Sequence, residues 1–340
     1  MPSFSLSIST GLALLFTLTP AFAQDSRFSA DFTAEIETDF TFDSDDADSE
    51  ITDTFLTIEG ALSYHLTDNV SLNATLLIEP VTDADDDRFL ENHGFFAEEL
   101  FLSFGVGQSD VTIGKFNPTF GTAWDAAPGI YGVDFAEDYE ITERVGAAVD
   151  FGFAFAGGDH TVQVAAFQAD RTFLSDSLGR ERGQLDINSG GVSNTTGIES
   201  FSVALSGEFG NTNYNAGLQR QGAGNGDADD QTGAVFGLNQ VLDTALPIEV
   251  LGEVAYFDAF DGTDNSATIA TFGSSVAFDA FTLSGVFAIR DVEEAPVDRL
   301  YTVSVEKELV PGLTGSVGYR FGQEDGVDSN ALGVLLAYEF

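Results

Sequence analysis

From residue 28 onward the chain alternates between apolar and polar positions. Phe28, Ala30, Phe32, Ala34, Ile36, Phe40 and Phe42 share one parity, and Ser29, Asp31, Thr33, Glu35, Glu37, Asp39 and Thr41 the other. A period of two with opposed chemistry marks a β-strand whose faces meet an apolar and an aqueous medium. The same alternation recurs to the end of the chain. It predicts strands over 28–42, 51–64, a third carrying Val70, Leu72, Leu76 and Ile78, then 94–106, 110–116, 145–155, 161–173, 199–209, 213–221, 232–240, 248–258, 266–278, 280–290, 298–309, 313–322 and 329–340. In the fourth, Phe96, Leu100, Leu102, Phe104 and Val106 form the apolar face. In the seventh, Val162 and Val164 oppose Phe167 and Phe173, a change of parity that a β-bulge would accommodate.

The connections alternate as well. Those at 43–50, 80–93, 117–143, 174–198, 222–231, 259–265, 291–297 and 323–328 are long or acidic, and those between them are tight. Alternation does not say which face is inside, but strand number does. A barrel of about sixteen strands encloses a lumen too wide for side chains to fill, so its interior is wet and its apolar face meets lipid. The expected fold is all-β, a transmembrane antiparallel β-barrel of about sixteen strands. Tyr64, Tyr256, Phe278 and Tyr338, near strand ends, would form its interfacial girdles.

Composition narrows this further. The 340 residues include 56 acids against 12 bases, a formal charge of −44, and no cysteine. A nucleic-acid partner, which needs clustered Lys and Arg, is excluded on charge, and disulfides and thiolate metal sites are excluded outright. Aromatics make up 12% of the chain, enough apolar surface to order it. Residues 1–23 carry no charged side chain, and a short apolar run at 11–18 precedes Ala21-Phe22-Ala23. That is a secretory signal cleaved before Gln24, its apolar run well short of the ~20 residues of a spanning helix. The exported unit is then 24–340.

Segment 117–143 interrupts the strands. It holds the single tryptophan, Trp124, with Pro118, Pro128, Gly121, Gly129 and Gly132, and it is rich in acids. Pro and Gly at this density end strand pairing, while Phe120, Tyr131, Phe135 and Tyr139 argue for a packed loop over a disordered one.

Taken together, the strand count, the longest structured loop falling after the fifth strand, the passage Gly114-Lys115-Phe116-Asn117-Pro118-Thr119-Phe120-Gly121 and the terminal Tyr338-Glu339-Phe340 resemble the Gram-negative outer-membrane porin family over the whole of 24–340. The resemblance implies a third loop, 117–143, folded into the lumen as a constriction, a C-terminal Phe340 that signals outer-membrane assembly, a homotrimer, and passive diffusion of small hydrophilic solutes and ions. Trp124, Asp125, Asp134, Glu137, Asp138 and Glu140 on that loop would then set the constriction. Strand parity places Arg144, Arg171, Arg290 and Arg320 on the lumen face, where they either oppose the acids across a gap or pair with them to pin the loop. Acids at the narrowest point predict cation preference. The alternative is a ligand-specific outer-membrane receptor or transporter for a metal chelate or sugar.

Acidic clusters at 43–50, 83–87 and 227–230 fall in long connections. They read as hydrated anionic loops, or as Ca²⁺ sites in which Asp45, Asp46, Asp85 and Asp86 take part, bridging to lipopolysaccharide in the surrounding lipid. No other cofactor is expected. Catalysis finds little support. His65, His93 and His160 fall in predicted connections as exposed turn residues, and neighbours such as Glu98 and Glu99 would point to opposite faces of a strand.

Overall fold

The structure, a computed structural model, describes residues 27–340, so the signal segment lies outside the described residues. Sixteen antiparallel strands form a closed barrel. They are β1 (Phe28–Ser44), β2 (Thr52–Thr67), β3 (Val70–Pro80), β4 (His93–Val106), β5 (Ser109–Phe116), β6 (Arg144–Phe155), β7 (Gly158–Ala169), β8 (Ser200–Phe209), β9 (Thr212–Gln221), β10 (Gln231–Leu242), β11 (Ile248–Asp258), β12 (Ala267–Ala277), β13 (Thr282–Val292), β14 (Asp298–Val310), β15 (Leu313–Glu324) and β16 (Val327–Glu339). Each pairs with its sequence neighbour, and β1 pairs with β16 through Ile36↔Leu336 and Phe40↔Leu332, so no edge is left open. At that seam Phe340 exchanges backbone hydrogen bonds with Phe32 at 3.0 Å in both directions and stacks on the Phe32 ring at 5.5 Å.

Parity along each strand sorts the two faces. On β11, Val254 and Tyr256 are about half exposed while Glu253, Ala255 and Phe257 are buried, and Leu218, Phe236, Phe272, Val303 and Val334 repeat the outward pattern around the barrel. A continuous outward belt of aliphatic and aromatic side chains on a closed barrel is what a lipid environment demands, since every backbone polar group is paired within the wall.

The core sits inside the barrel. Phe116, Phe120, Phe135, Tyr139 and Ile141 from the 117–143 loop and its root pack on inward-facing Phe167, Phe257, Ile269 and Leu300. One side of the lumen is therefore dry.

This explains the seventh strand. β7 keeps an unbroken register with both neighbours, so there is no bulge; Phe167 points inward because the loop covers it, and Phe173 lies beyond the strand in a 3-10 turn (Phe173–Ser175). The irregularity is in β4 instead, where the pairing slips between Thr75↔Glu99 and Leu76↔Ala97. Phe95 is thereby turned outward and Phe96 inward, under the Arg182 guanidinium at 3.9 Å. The same slip brings Glu98 and Glu99 onto one face, which an unbroken strand would have separated: both carboxylates accept hydrogen bonds from Asn117.

Two connections also depart from expectation. The last is not a loop at 323–328 but a two-residue hairpin, Asp325 and Gly326, both at positive φ with Glu324 paired to Val327. The 170–199 connection, longer than 117–143, folds back so that Leu178–Gly179 pairs with Gly94 and Phe95 of β4.

Candidate functional site: the loop inside the barrel

Segment 117–143 leaves β5, crosses the lumen and returns to β6. Its root is closed on itself, with the Asn117 carboxamide oxygen accepting from Glu143 N at 2.8 Å. Glu143 then receives Lys115 Nζ at 2.7 Å and Arg182 at 2.5 Å. Inside, a short helix (Ala123–Ala126) begins against Glu253, 2% exposed on the β11 wall. That carboxylate accepts from Thr122 N (3.0 Å), Ala123 N (2.9 Å), Thr122 Oγ1 (3.1 Å), Tyr139 Oη (2.6 Å) and Asn215 Nδ2 (2.7 Å). A carboxylate here satisfies amides that the helix start leaves free. Gly121 makes the approach possible, since a Cβ at its φ of +74° would stand 2.8 Å from Glu253 Oε1 and 2.7 Å from the Tyr139 ring.

Farther along, Tyr131 Oη donates to Asp39 of β1 at 2.5 Å. It passes Gly333 of β16, where a Cβ would lie 2.4 Å from the hydroxyl. Arg320 holds Asp134 at 2.8 Å, and Arg290 holds Asp138 at 2.5 Å while lying 4.7 Å over the Phe135 ring. Both arginines also bind Glu324. Burial pushes Asp134 up to about 6 against the pull of Arg320, and it raises Asp138 as well.

The sequence-derived site residues thus divide into groups. Asp134 and Asp138 pair directly with Arg320 and Arg290 on the wall behind the loop, without a gap between them. Trp124 donates Nε1 to Phe120 O at 3.1 Å and packs, partly buried, against the internal core. Arg144 and Arg171 meet none of the loop acids; their guanidinium groups donate to the carbonyls of Thr142 and Thr195.

Asp125, Glu137 and Glu140 face the opposite wall, where they meet further acids. Glu137 is pushed up to about 7, first by burial and then by Asp134, Asp138 and Glu79. Glu140 is also pushed up to about 7, by burial and then by Glu98, Glu137, Asp125 and Glu99. Between the loop and the inner face of β1–β3 lies a cavity of about 560 Å³ whose lining includes Asp39, Asp53, Glu79, Arg88 and Glu137. A second, of about 730 Å³, opens on the other side of the loop beside Thr122, Asp159, Glu208, Asn213 and Asn215.

Glu253, the hub of the loop's anchorage, was not legible as such: it is one lumen-parity acid among many, and its role depends on residues more than a hundred positions away. Of the acids offered to calcium, Asp46 is taken up locally by Asp48 N and Ser49 Oγ, and Asp86 by Asp87 N. Among the described residues no group of three metal-ligating side chains converges. His160 is not an exposed turn residue. It is buried against Phe153 and Phe209 and bonded to Tyr214 Oη at 2.8 Å.

No protein-family model matches the sequence, and no curated protein does. Solved structures do match by shape. The outer-membrane channel DcaP of Acinetobacter baumannii superposes with a TM-score of 0.65 at 10% identity, over 92% of this chain and 97% of that one. A triple mutant of the Rh. blastica porin gives 0.60 at 13% identity, over 92% of this chain and all of that one, and a second mutant of that porin gives 0.60 at 14%. Its outward apolar belt and closed wall suit a lipid bilayer. The chain has the fold of the sixteen-stranded outer-membrane porins.

Proposed function

We propose that the protein is a passive channel for small hydrophilic solutes and ions, narrowed by the 117–143 loop and preferring cations. The observation that carries the cation preference is the sign of both sides of the passage. Asp125, Glu137 and Glu140 on the loop face Glu59, Glu79, Glu98 and Glu99 on β2–β4. The bases nearby are already paired, Arg88 with Asp53 at 2.5 Å, Arg182, which also acts on Glu79, with Glu143 at 2.5 Å, and Arg290 and Arg320 with the acids behind the loop. In a narrow passage of reduced effective dielectric, a few unscreened acids outweigh many loop acids whose reach in ~0.15 M salt is about 8 Å.

Reversal potentials in planar bilayers under a KCl gradient test this. Changing Asp125, Glu137 and Glu140 to their amides should lower cation preference without abolishing conductance, and neutralising Asp45, Asp46, Asp85 and Asp86 should do less. If the second set shifts the potential more, the constriction is elsewhere. The titration has a definite sign. Glu137 and Glu140, at about 7, are mostly ionised at pH 8 and mostly protonated at pH 5.5, so cation preference falls on acidification through that window. An unchanged reversal potential between those pH values would remove both residues from the passage. A ligand-specific transporter would instead show flux that saturates.

Phe340 supports assembly in this reading. Its ring stacks on Phe32 and Tyr338 at the closing seam. Deleting it should lower the heat-modifiable, folded fraction recovered from outer membranes; an unchanged fraction argues against the role.

A further inference from the structure

We propose that the inner face of β6–β9, beneath the roots of the 117–143 and 170–199 connections, binds a small monovalent anion, a halide or a compact carboxylate. The inference stands apart from the cation preference of the passage, which lies against β1–β4.

The first observation is a surplus of positive charge. Lys115, Arg144, Arg171 and Arg182 gather here with two buried or half-buried acids, Glu143 and Asp170, and Arg182, at the edge toward β4, also feels Glu79. Glu143 is engaged by Lys115 and Arg182, and Asp170 by Lys115 at 3.1 Å. Arg144 and Arg171 form no ion pair within 4.0 Å among the described residues; Glu143, already held by Lys115 and Arg182, acts on Arg144 only at longer range. Asp186 acts on Arg171 only from solvent, its carboxylate occupied by Asn188. Each of the two guanidinium groups spends one Nη on a backbone carbonyl at 2.7 Å, and each Nε is buried without a partner. With 56 acids in the chain, an arginine left without one does not reflect a shortage.

The second observation is a set of fully buried donors. Ser193 Oγ donates to Gln221 Oε1 at 2.7 Å, and Arg144 Nη2 approaches that oxygen at 3.5 Å, which fixes the Gln221 amide. Its Nε2 therefore donates to Gln219 Oε1 at 2.8 Å. That leaves Gln219 Nε2 pointing away with no acceptor, 4% exposed, and its cross-strand partner Ser202 is 1% exposed with its hydroxyl also unpartnered. Two Nε–H groups, an amide N–H and a hydroxyl are thus left open, and the orphaned acid oxygen of the cluster, Asp170 Oδ2, already faces Lys115 Nζ at 3.1 Å. Donors and charge buried without acceptors are costly, and an anion relieves both together. The ligand is small because Ala148, Ala165 and Phe167, all buried, fill the neighbouring inward positions. It reaches the site from the lumen, where Arg144 and Arg171 are half-buried.

Bromide is the probe. Crystals of the mature barrel grown in sodium bromide should give an anomalous difference peak within hydrogen-bonding distance of Arg144 Nε or Gln219 Nε2, and Arg144→Met should remove it. No peak in the wild type, or a peak that persists in Arg144→Met, overturns the proposal. Thermal unfolding in detergent supplies a second readout. The wild-type midpoint should fall when bromide is replaced by bulky gluconate at equal ionic strength. Gln219→Glu, which supplies its own carboxylate, should lose that dependence. Equal bromide dependence in both proteins, or none in the wild type, also overturns it.

Discussion

Replacing Glu253 with alanine should free the 117–143 loop while leaving the barrel closed. The carboxylate is nearly inaccessible and takes hydrogen bonds from Thr122, Ala123, Tyr139 and Asn215. Its removal orphans donors held in a dry interior, each at a cost of about 1–3 kcal/mol. It also opens space beside the Tyr139 hydroxyl and Gly121, where the carboxylate sits. The β11 ladder is backbone-bonded on both sides and does not depend on this side chain. Single-channel currents should therefore become noisy and larger, and proteases added to the loop-bearing side should cut within 117–143, with heat-modifiable mobility retained. Glu253→Gln keeps one acceptor oxygen and should fall between. Quiet currents of unchanged size in the alanine variant would mean that the aromatic cluster and the Arg290, Arg320 and Tyr131 contacts hold the loop without Glu253.

One residue along, the chain faces the other medium. Val254 lies mid-strand on β11 and is 51% exposed on the outward face. Arginine there should destabilise the barrel by about 2–4 kcal/mol if it sits near the bilayer midplane, whereas charge on the lumen face at Thr33 should cost far less. Phe151 is a poorer test position than mid-strand Ile36, because it pairs with Ser109 next to the 107–108 turn and so lies near the interface. Urea unfolding in lipid vesicles reads the difference. Equal costs at Val254 and Thr33 would mean that the facing is wrong.

The barrel was legible because lipid and water impose one chemical rule on every strand, so alternation alone counted sixteen. Where the rule lapsed, the interior was responsible. Phe167 and Phe257 are apolar on the lumen parity, and they lapse because the loop covers them; read as a group with Ile269 and Leu300, such lapses would have located the dry side of the lumen. The slip in β4 left a fainter trace, an acid, Glu98, on the parity of Phe96 and Leu100 that alternation reserves for apolar side chains. Asp325-Gly326 was a clear hairpin signal, hidden by the acids around it. The pairing of Arg290 and Arg320 with the loop could not be read, because parity gives a face and no distance.

Sequence separation gives the internal core a temporal meaning. The loop is made early, yet its anchors Glu253, Arg290, Ser304 and Arg320 follow it by more than a hundred residues. Contacts so far apart carry a large closure entropy and form late. The loop must already lie within the curling sheet when the last strands arrive, since β16 meeting β1 shuts the only lateral entrance. Pore width is then decided during assembly, and a chain that seals with its loop outside has no easy route to correct it.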